Sequence, residues 1–161
     1  ILFNHESPLR DENFVSSKII KGLIDFKKNK GKTIELGNIN IKRDWGYSKE
    51  YVVQMWKMLQ TKKPGDYVIA TGKSHSLKEL IDISTNYLNI KAKWKGKGIN
   101  LKLVNIPDNR IIIRINKKYF RPNDIYSTKG NISKAKKFLK WKPKTSFKKL
   151  IKILINEKIK E

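Results

Sequence analysis

Apolar residues recur every three or four positions in several stretches of the chain, which is the spacing of one helix face. The clearest stretch alternates with lysines and predicts a helix over 147–159 that buries one face. A Ser76–Glu79 capping box predicts another helix, because the hydroxyl and the carboxylate each satisfy a free amide of its first turn. The same spacing predicts helices over 13–28 and 133–139.

A further helix is expected after Ser48, a favourable residue for the N-cap position. Its apolar residues fall on one face, so this face is expected to pack against the rest of the protein. The predicted apolar face consists of Tyr51, Val52, Met55, Trp56 and Leu59.

Short runs rich in β-branched and aromatic residues predict strands at 33–36, 67–70 and 111–115. The opening residues 1–3 are interpreted as the end of a buried strand, and 90–110, which contains two glycines, is expected to be irregular. Because strands and helices alternate along the chain, the sequence predicts an α/β fold.

The composition suits one domain in a reducing compartment. The 161 residues, 39% of them hydrophobic, are enough for a packed core and exclude wholesale disorder. The absence of cysteine excludes a disulfide scaffold and a Cys-based zinc site, and a cytoplasmic location is expected. Two histidines argue against an all-His metal site, and no apolar run approaches the length of a membrane span. The first residue is Ile rather than Met, so the N-terminus is interpreted as a cut edge.

The chain is strongly basic, with a formal net charge of +23, which is typical of nucleic-acid-binding proteins. This charge comes from 32 Lys and only 5 Arg. Lys, like Ile and Asn, which are also abundant with 23 and 14 residues, has A/T-rich codons, so a biased genome would produce the same charge without selection for a polyanion. Because Arg dominates specific base and phosphate contacts, the positions of the few arginines are more informative than the total charge.

Arginines lie in three loops at the edges of predicted elements, whereas a Gly-x-Gly-x-x-Gly string and a Walker loop are missing. The loops are 4–10, 43–46 and 119–124. In α/β folds ligands gather at the carboxyl ends of strands, and a guanidinium binds phosphate oxygens through paired hydrogen bonds. The sequence therefore predicts a diphosphate held between Arg43 and Arg121.

Each loop also has a plainer interpretation. The first is a solvated turn that Pro8 keeps out of a helix. In the second, Asp44 either orients Arg43 for a ligand or forms a simple ion pair with it. In the third, Arg121 packs on the neighbouring aromatic rings, or Asp124 accepts a hydrogen bond from a ribose hydroxyl.

Several strings in the chain resemble the GDP-mannose 4,6-dehydratase family, within the extended short-chain dehydrogenase/reductase superfamily. They are Ile-Leu-Phe-Asn-His-Glu-Ser-Pro at 1–8, Lys-Arg-Asp-Trp-Gly at 42–46, Asp-Tyr-Val-Ile-Ala-Thr-Gly at 66–72 and Tyr-Phe-Arg-Pro at 119–122. Leu-Lys-Trp-Lys-Pro at 139–143 is similar to the closing signature of the superfamily. The resemblance covers nearly the whole chain, but only the C-terminal half of family members.

The resemblance implies the substrate-binding half of an NAD(P)-binding Rossmann-type fold, without the N-terminal Rossmann core. The chain would be one partial domain, 1–161. Residues 1–10 and 34–72 would complete the Rossmann-type sheet, and 13–30 and 75–161 would form most of the sugar-nucleotide site.

The implied reaction is redox-neutral. NADP takes a hydride from C4 of the hexose of GDP-mannose, a base removes the C5 proton, water leaves C6, and the hydride returns to C6. The product is GDP-4-dehydro-6-deoxy-mannose. In family members the Gly-rich turn, a Tyr-x-x-x-Lys pair and the other catalytic groups precede the matching half. No catalytic residue is therefore assigned in this chain, which we expect to be inactive by itself.

The resemblance also assigns binding residues. His5 and Arg10 would contact NADP, Arg43 and Arg121 would hold the diphosphate, and Asp124 would face the ribose. The full substrate-binding set is Asn4, Asn13, Val15, Lys18, Arg43, Arg121 and Asp124. The chain departs from the family at four places: Leu9 stands where Arg is usual, and Asp124 stands where Glu is frequent. Ser16-Ser17 stands where a threonine-arginine pair is common, and Tyr47 stands where His is usual.

Three other interpretations stay open at this point. The chain could belong to another GDP-sugar reductase or epimerase of the superfamily, be a non-enzymatic module that binds nucleic acid, or be a decayed fragment. Against nucleic acid, neither an aromatic-basic RNA signature nor a helix-turn-helix with a basic recognition face is found. The expected partners are GDP-mannose and either further copies of the chain in a homo-oligomer or a missing N-terminal half, with no membrane.

Overall fold

A computed structural model of the chain describes residues 1–62, 64–121 and 123–160. Its α-helices are α1 (Val15–Lys27), α2 (Ser48–Gln60), α3 (Leu77–Tyr87), α4 (Ser133–Phe138) and α5 (Phe147–Lys160). The strands are β1 (His5–Glu6), β2 (Ile34–Leu36), β3 (Lys42–Arg43), β4 (Gly46–Tyr47), β5 (His75–Ser76), β6 (Ala92–Lys95), β7 (Lys102–Asn105) and β8 (Ile111–Ile115). Short 3₁₀ turns lie at Gly98–Asn100 and Lys117–Tyr119.

The main sheet has the strand order β2-β8-β7-β6. Strand β2 runs parallel to β8, whereas β7 is antiparallel to both β8 and β6. Because side chains alternate between the two faces of a strand, Ile34 and Leu36 point into the core with their register partners Ile113 and Ile115. Helices α1, α3 and α5 pack together over this apolar face and complete the principal core.

The expectation that 90–110 is irregular is wrong, because this stretch contains the hairpin of β6 and β7. The sequence pattern that indicates this hairpin is the alternation of lysines with apolar residues, a period of two that fits a half-buried strand. In β6, Lys93 and Lys95 are exposed while Ala92 and Trp94 are partly buried against the core.

The second layer of the molecule is built from very short parallel strands. β1 pairs with β4. The predicted strands at 1–3 and 67–70 are reduced to an isolated parallel bridge between Leu2 and Ile69, in which the Phe3 amide donates to the Ile69 carbonyl at 3.0 Å and the Ile69 amide donates to the Ile1 carbonyl at 2.9 Å. The opening residues are also not buried, since Ile1 is 74% exposed. A smaller apolar cluster lies here, consisting of Tyr51, Tyr67, Ile69, Ala135, Leu139 and Trp141.

Helix α2 differs from its prediction in two ways. Ser48 is the first helical residue rather than the cap, and its Oγ donates to the backbone carbonyl of Glu6 at 2.7 Å. The helix buries Tyr51 and Gln54, so most of its predicted apolar face points outward. The exposed residues are Val52, Val53, Met55, Trp56 and Leu59, with Leu59 83% exposed.

The remaining predicted elements are close to the observed ones. The capping box is present, with the Ser76 Oγ accepting from the Glu79 amide at 3.0 Å and the Glu79 carboxylate accepting from the Ser76 amide at 2.7 Å. Strand β2 lies in the main sheet and not beside β1. Within the described part of the chain, no helix is both long enough and apolar enough to cross a membrane.

Candidate functional site

A cleft of about 620 Å³ lies between the N-terminal turn of α1, the carboxyl end of β2, strand β3 and residues 118–121 and 124. Ligands of α/β proteins gather at such strand ends. All seven residues predicted for the substrate side line this one cleft: Asn4, Asn13, Val15, Lys18, Arg43, Arg121 and Asp124. The two arginines that were predicted to act together therefore face the same space, although 78 positions separate them in the chain.

One wall of the cleft is a strap formed by the described residues 117–121 and 123–127, which is fastened at both ends. At the first end the Asn116 amide donates to the Leu36 carbonyl at 2.8 Å, and a Cβ at Gly37 would overlap the carbonyl of Tyr119. Only glycine at position 37 allows this close approach of the two backbones. At the second end the Lys42 amide donates to the Tyr126 carbonyl at 2.7 Å.

The Arg43 side chain fastens the strap from within the cleft. Its Nη1 donates to the backbone carbonyls of Lys42 at 2.8 Å and Ile125 at 2.6 Å, and its Nη2 donates to Asp124 Oδ1 at 2.8 Å. The side chains of this Arg43–Asp124 ion pair are 18% and 21% exposed. The guanidinium is thus held in place before any ligand arrives.

Asp44 is not the partner of Arg43, which corrects the expectation that the adjacent carboxylate orients the guanidinium. Asp44 is fully buried and accepts from the Thr71 amide at 2.7 Å, the Thr71 hydroxyl at 2.6 Å, the Gly72 amide at 2.9 Å and the Gly130 amide at 3.1 Å. Its role is structural, because it ties two loops together behind the cleft.

Further cations line the cleft. Lys18 Nζ donates to the Glu35 carbonyl at 2.9 Å and lies 4.7 Å from the centre of the Tyr119 ring. Arg121 is exposed, and the described residues give it no hydrogen-bond or ion-pair partner. Pro122, which was expected to fix the backbone after Arg121, lies outside the described residues. The cleft is lined by more cationic than anionic side chains. The cationic residues are Arg10, Lys18, Arg43, Lys118 and Arg121, and the anionic residues are Glu6, Glu35 and Asp124. This balance favours an anionic ligand.

Glu6 is a cleft residue that the sequence analysis missed, since its string was interpreted as a polar loop. It lies in β1, is only 4% exposed, accepts from the Ser16 hydroxyl at 2.7 Å and pairs with Arg10 Nε at 3.2 Å. Burial raises the pKa of the Glu6 carboxyl above its usual value, although the Ser16 hydrogen bond and the charges of Arg10 and His5 act in the opposite direction. The four-residue spacing between Glu6 and Arg10 was the feature of the sequence that could have indicated this ion pair.

His5 and Arg10, the residues predicted for the cofactor, line a second groove of about 390 Å³ next to the cleft. Arg10 also borders the cleft, and its guanidinium lies 3.8 Å from the centre of the Phe14 ring. His5 Nδ1 is bonded to the Phe3 carbonyl at 2.8 Å. Leu9, 95% exposed, adds apolar surface to this groove. A cation, an imidazole and apolar walls fit part of a dinucleotide.

The chemistry of the cleft is that of binding. The sequence contains a Tyr-x-x-x-Lys string at 87–91, but it lies at the end of α3, where the Tyr87 hydroxyl donates to Asn156 at 2.8 Å, and neither Tyr87 nor Lys91 lines the cleft. Among the residues that the structure describes, no three His, Asp or Glu side chains are grouped to hold a metal ion.

Comparison with known proteins identifies the family of the chain. The model of the family described as GDP-mannose 4,6 dehydratase matches residues 1–154. The chain belongs to this family. It is 44% identical to a GDP-mannose 4,6 dehydratase of Drosophila melanogaster (94% of this chain, 38% of the relative). It is 45% identical to GDP-mannose 4,6 dehydratase 1 of Arabidopsis thaliana (98% and 39%) and 38% identical to the Homo sapiens enzyme (97% and 42%). The chain thus spans about two fifths of the dehydratases it matches.

Solved structures show the fold of the same half. RMD from Pseudomonas aeruginosa complexed with NADPH matches with a TM-score of 0.76 and 16% identity, over 97% of this chain and 46% of that one. The dTDP-glucose 4,6-dehydratase of Bacillus anthracis in complex with NAD matches with a TM-score of 0.74 and 14% identity, over 99% and 43%. The predicted fold class is confirmed: this member of the dehydratase family has one half of the extended short-chain dehydrogenase/reductase fold.

Proposed function

We propose that this chain is the GDP-sugar-binding half of a GDP-mannose 4,6-dehydratase, a hydro-lyase that forms GDP-4-dehydro-6-deoxy-mannose. The observation that supports this most is the convergence of Arg43, Arg121 and Lys18, which come from three separate elements, on one cleft. Cations in such a position suit a diphosphate, because charge-assisted hydrogen bonds are about twice as strong as neutral ones. Holding the diphosphate at one end fixes where the hexose lies, which is the orienting part of catalysis.

The cofactor in this proposal is NADP, held where His5 and Arg10 line the second groove. When bound, the nicotinamide supplies hydride transfer. Relatives in fold are described with NADPH and with NAD, which supports a nicotinamide cofactor. Arg10 borders both spaces, so its guanidinium is positioned between cofactor and substrate. The cofactor's identity as NADP is a proposal from family membership.

The proton-transfer groups of the reaction are proposed to come from outside this chain, in the remaining part of the fold or in another copy. The exposed apolar residues of α2, such as Val52, Trp56 and Leu59, support a covering partner, because large apolar patches are rarely left in water. Purified alone, the chain should not convert GDP-mannose, and turnover by the chain without a partner would refute this. The division of the chain into Rossmann-type and substrate-binding segments, and its cytoplasmic location, remain predictions.

Calorimetry with GDP tests the binding function. Arg43→Ala and Arg121→Ala should each weaken GDP binding by about 1.5–3 kcal/mol, the usual worth of a hydrogen bond to a charged group. Arg110→Ala is the matched control, because Arg110 pairs with Asp108 away from the cleft. Equal losses in all three variants, or no GDP binding by the parent chain, would contradict the proposed site.

A further inference from the structure

The outer face of the main sheet, on the side away from the helices, carries a row of cations. In the antiparallel pairing of β6 with β7, Lys95 lies directly opposite Lys102, and in the pairing of β7 with β8, Lys102 lies opposite Arg114. Lys93 lies two residues before Lys95 and therefore on the same face of β6. These four exposed side chains form the cationic row, while the residues between them in β6 and beside them in β7 and β8 face the core.

The cationic row carries charge that the chain itself does not neutralise. Like charges directly opposite each other on neighbouring strands destabilise a sheet. Arg114 has an acidic partner, since its Nε donates to Glu35 Oε1 at 2.7 Å, and Lys95 has one long hydrogen bond, of 3.5 Å, to an asparagine side chain. Within the described part of the chain, Lys93 and Lys102 have neither an ion pair nor a side-chain hydrogen bond. The row therefore suits a partner that brings negative charge.

The row begins at an open edge of the sheet. Strand β6 is the last strand in the order β2-β8-β7-β6, so one side of its backbone faces β7 and the other side is left without a strand. None of the described residues forms a hydrogen bond with that free side of Ala92–Lys95. Such an edge binds extended peptides by pairing main chain with main chain, and side chains of the added strand alternate between the two faces. Acidic residues at every second position would all lie on the face of the cationic row.

Protection of the edge explains only part of the row. Lysines on an edge strand discourage pairing with the strands of other copies, which accounts for Lys93 and Lys95. It does not account for Lys102 and Arg114, because β7 and β8 lie in the interior of the sheet and have a strand on each side. Neighbouring strands are about 5 Å apart, so Lys102 acts on an added strand from about 10 Å, one Debye length at 0.1 M salt.

We propose that the free edge of β6 and the cationic row bind an extended acidic segment of another polypeptide, which adds to the main sheet as a further strand. The open backbone edge supplies the hydrogen bonds, and the cations select acidic side chains at alternate positions. None of the four residues of the row lines the cleft, so this surface is independent of the proposed GDP site.

The test uses the chain and a short capped peptide in which glutamate alternates with threonine. Calorimetry should detect its binding, and hydrogen exchange should slow at the amides of Ala92–Lys95. The same peptide with every backbone amide methylated keeps its charge but should bind at least about tenfold more weakly, because it cannot donate the backbone hydrogen bonds. A peptide of the same composition with consecutive glutamates should also bind more weakly, since only alternate residues face the row.

A pair of matched double variants tests the role of the cations. Lys93→Gln with Lys95→Gln removes two charges of the row and keeps the strand polar. An exposed ion pair contributes a factor of about 1.4–5 to affinity, so this variant should bind the alternating peptide about two- to thirtyfold more weakly. Lys148→Gln with Lys149→Gln removes the same charge from exposed positions of α5, in the helical layer on the other face of the sheet, and should change the affinity by less than about twofold.

Three outcomes would overturn the proposal. Equal binding of the methylated peptide, or equal losses in the two double variants, would mean that the total charge alone attracts the peptide. If the parent chain does not bind the alternating peptide, the lysines only protect the edge, and Lys93→Gln with Lys95→Gln should then self-associate in size-exclusion chromatography. If a single-stranded oligonucleotide binds more tightly than the peptide and loses affinity in the same variant, the row serves nucleic-acid phosphates instead.

Discussion

The buried carboxylate of Asp44 makes a sharp prediction about the stability of the fold. It has no exposed surface, and its two oxygens accept four hydrogen bonds. In Asp44→Asn, one oxygen can still accept from Thr71, but the new NH₂ group faces the amides of Gly72 and Gly130, which now donate to Oδ2 at 2.9 and 3.1 Å. Two donors therefore lose their acceptor in a place that water does not reach.

The expected cost follows from those two donors. A hydrogen bond to a charged group contributes about 1.5–3 kcal/mol, so losing two should lower the free energy of unfolding by roughly 3–6 kcal/mol. For a protein of this size each kcal/mol shifts the melting temperature by about 2–4 °C, which gives a fall of at least about 6 °C. Asp25→Asn is the matched control, because Asp25 pairs with Lys21 on the surface of α1, where such pairs contribute only about 0.3–0.5 kcal/mol.

Thermal unfolding followed by circular dichroism measures this difference directly. Asp44→Asn should melt well below the parent chain, whereas Asp25→Asn should melt within about 2 °C of it. If the two variants melt together, the four short hydrogen bonds to Asp44 do not stabilise the loops behind the cleft, and its assignment as a structural residue is wrong.

Three further predictions concern the cleft. Gly37→Ala should push the Tyr119 backbone away and weaken GDP binding by about three- to ten-fold. Gly65→Ala should leave GDP binding unchanged, because the added Cβ meets only the end of a lysine side chain. Equal GDP affinities of the two variants in calorimetry would count against the strap as a wall of the site. Because the pKa of Glu6 is raised on folding, its contribution to stability is full below the unfolded pKa of about 4.3 and is lost as the pH rises through the higher folded value. Glu6→Gln should therefore remove part of the decline in the free energy of unfolding above this pH, as measured by urea titration at several pH values. An unchanged pH profile would contradict the raised pKa of Glu6. Finally, a few cationic contacts should make GDP affinity fall by less than about tenfold between 50 and 200 mM salt, against about 10³–10⁵ for a protein that neutralises many nucleic-acid phosphates.

The helices of the principal core were predictable because each carries its own signal. Helix α5 has an uninterrupted apolar stripe, and α3 begins with a capping box whose two hydrogen bonds are local. The orientation of α2 was not predictable in the same way. The apolar face of α2 predicts that this face is buried, but the elements that pack against the helix decide which of its residues are covered. Burial of Tyr51 depends on the distant Trp141, whose ring lies 5.7 Å away, edge-on.

The candidate site shows the same division between local and distant information. The seven cleft residues follow from the family resemblance, whereas Arg43's partner had to come from the fold. The sequence offered Asp44, the adjacent carboxylate, but Asp44 lies just beyond the last residue of β3, and its oxygens accept from Thr71, Gly72 and Gly130. Arg43 faces the cleft, and Asp44 faces the buried loops. The acid that reaches Arg43 lies 81 positions away, on a strap that the backbone of β3 itself binds through Lys42. The four donors around Asp44 occupy both of its oxygens, so the neighbour is not the partner, and only the fold identifies the residue that takes its place.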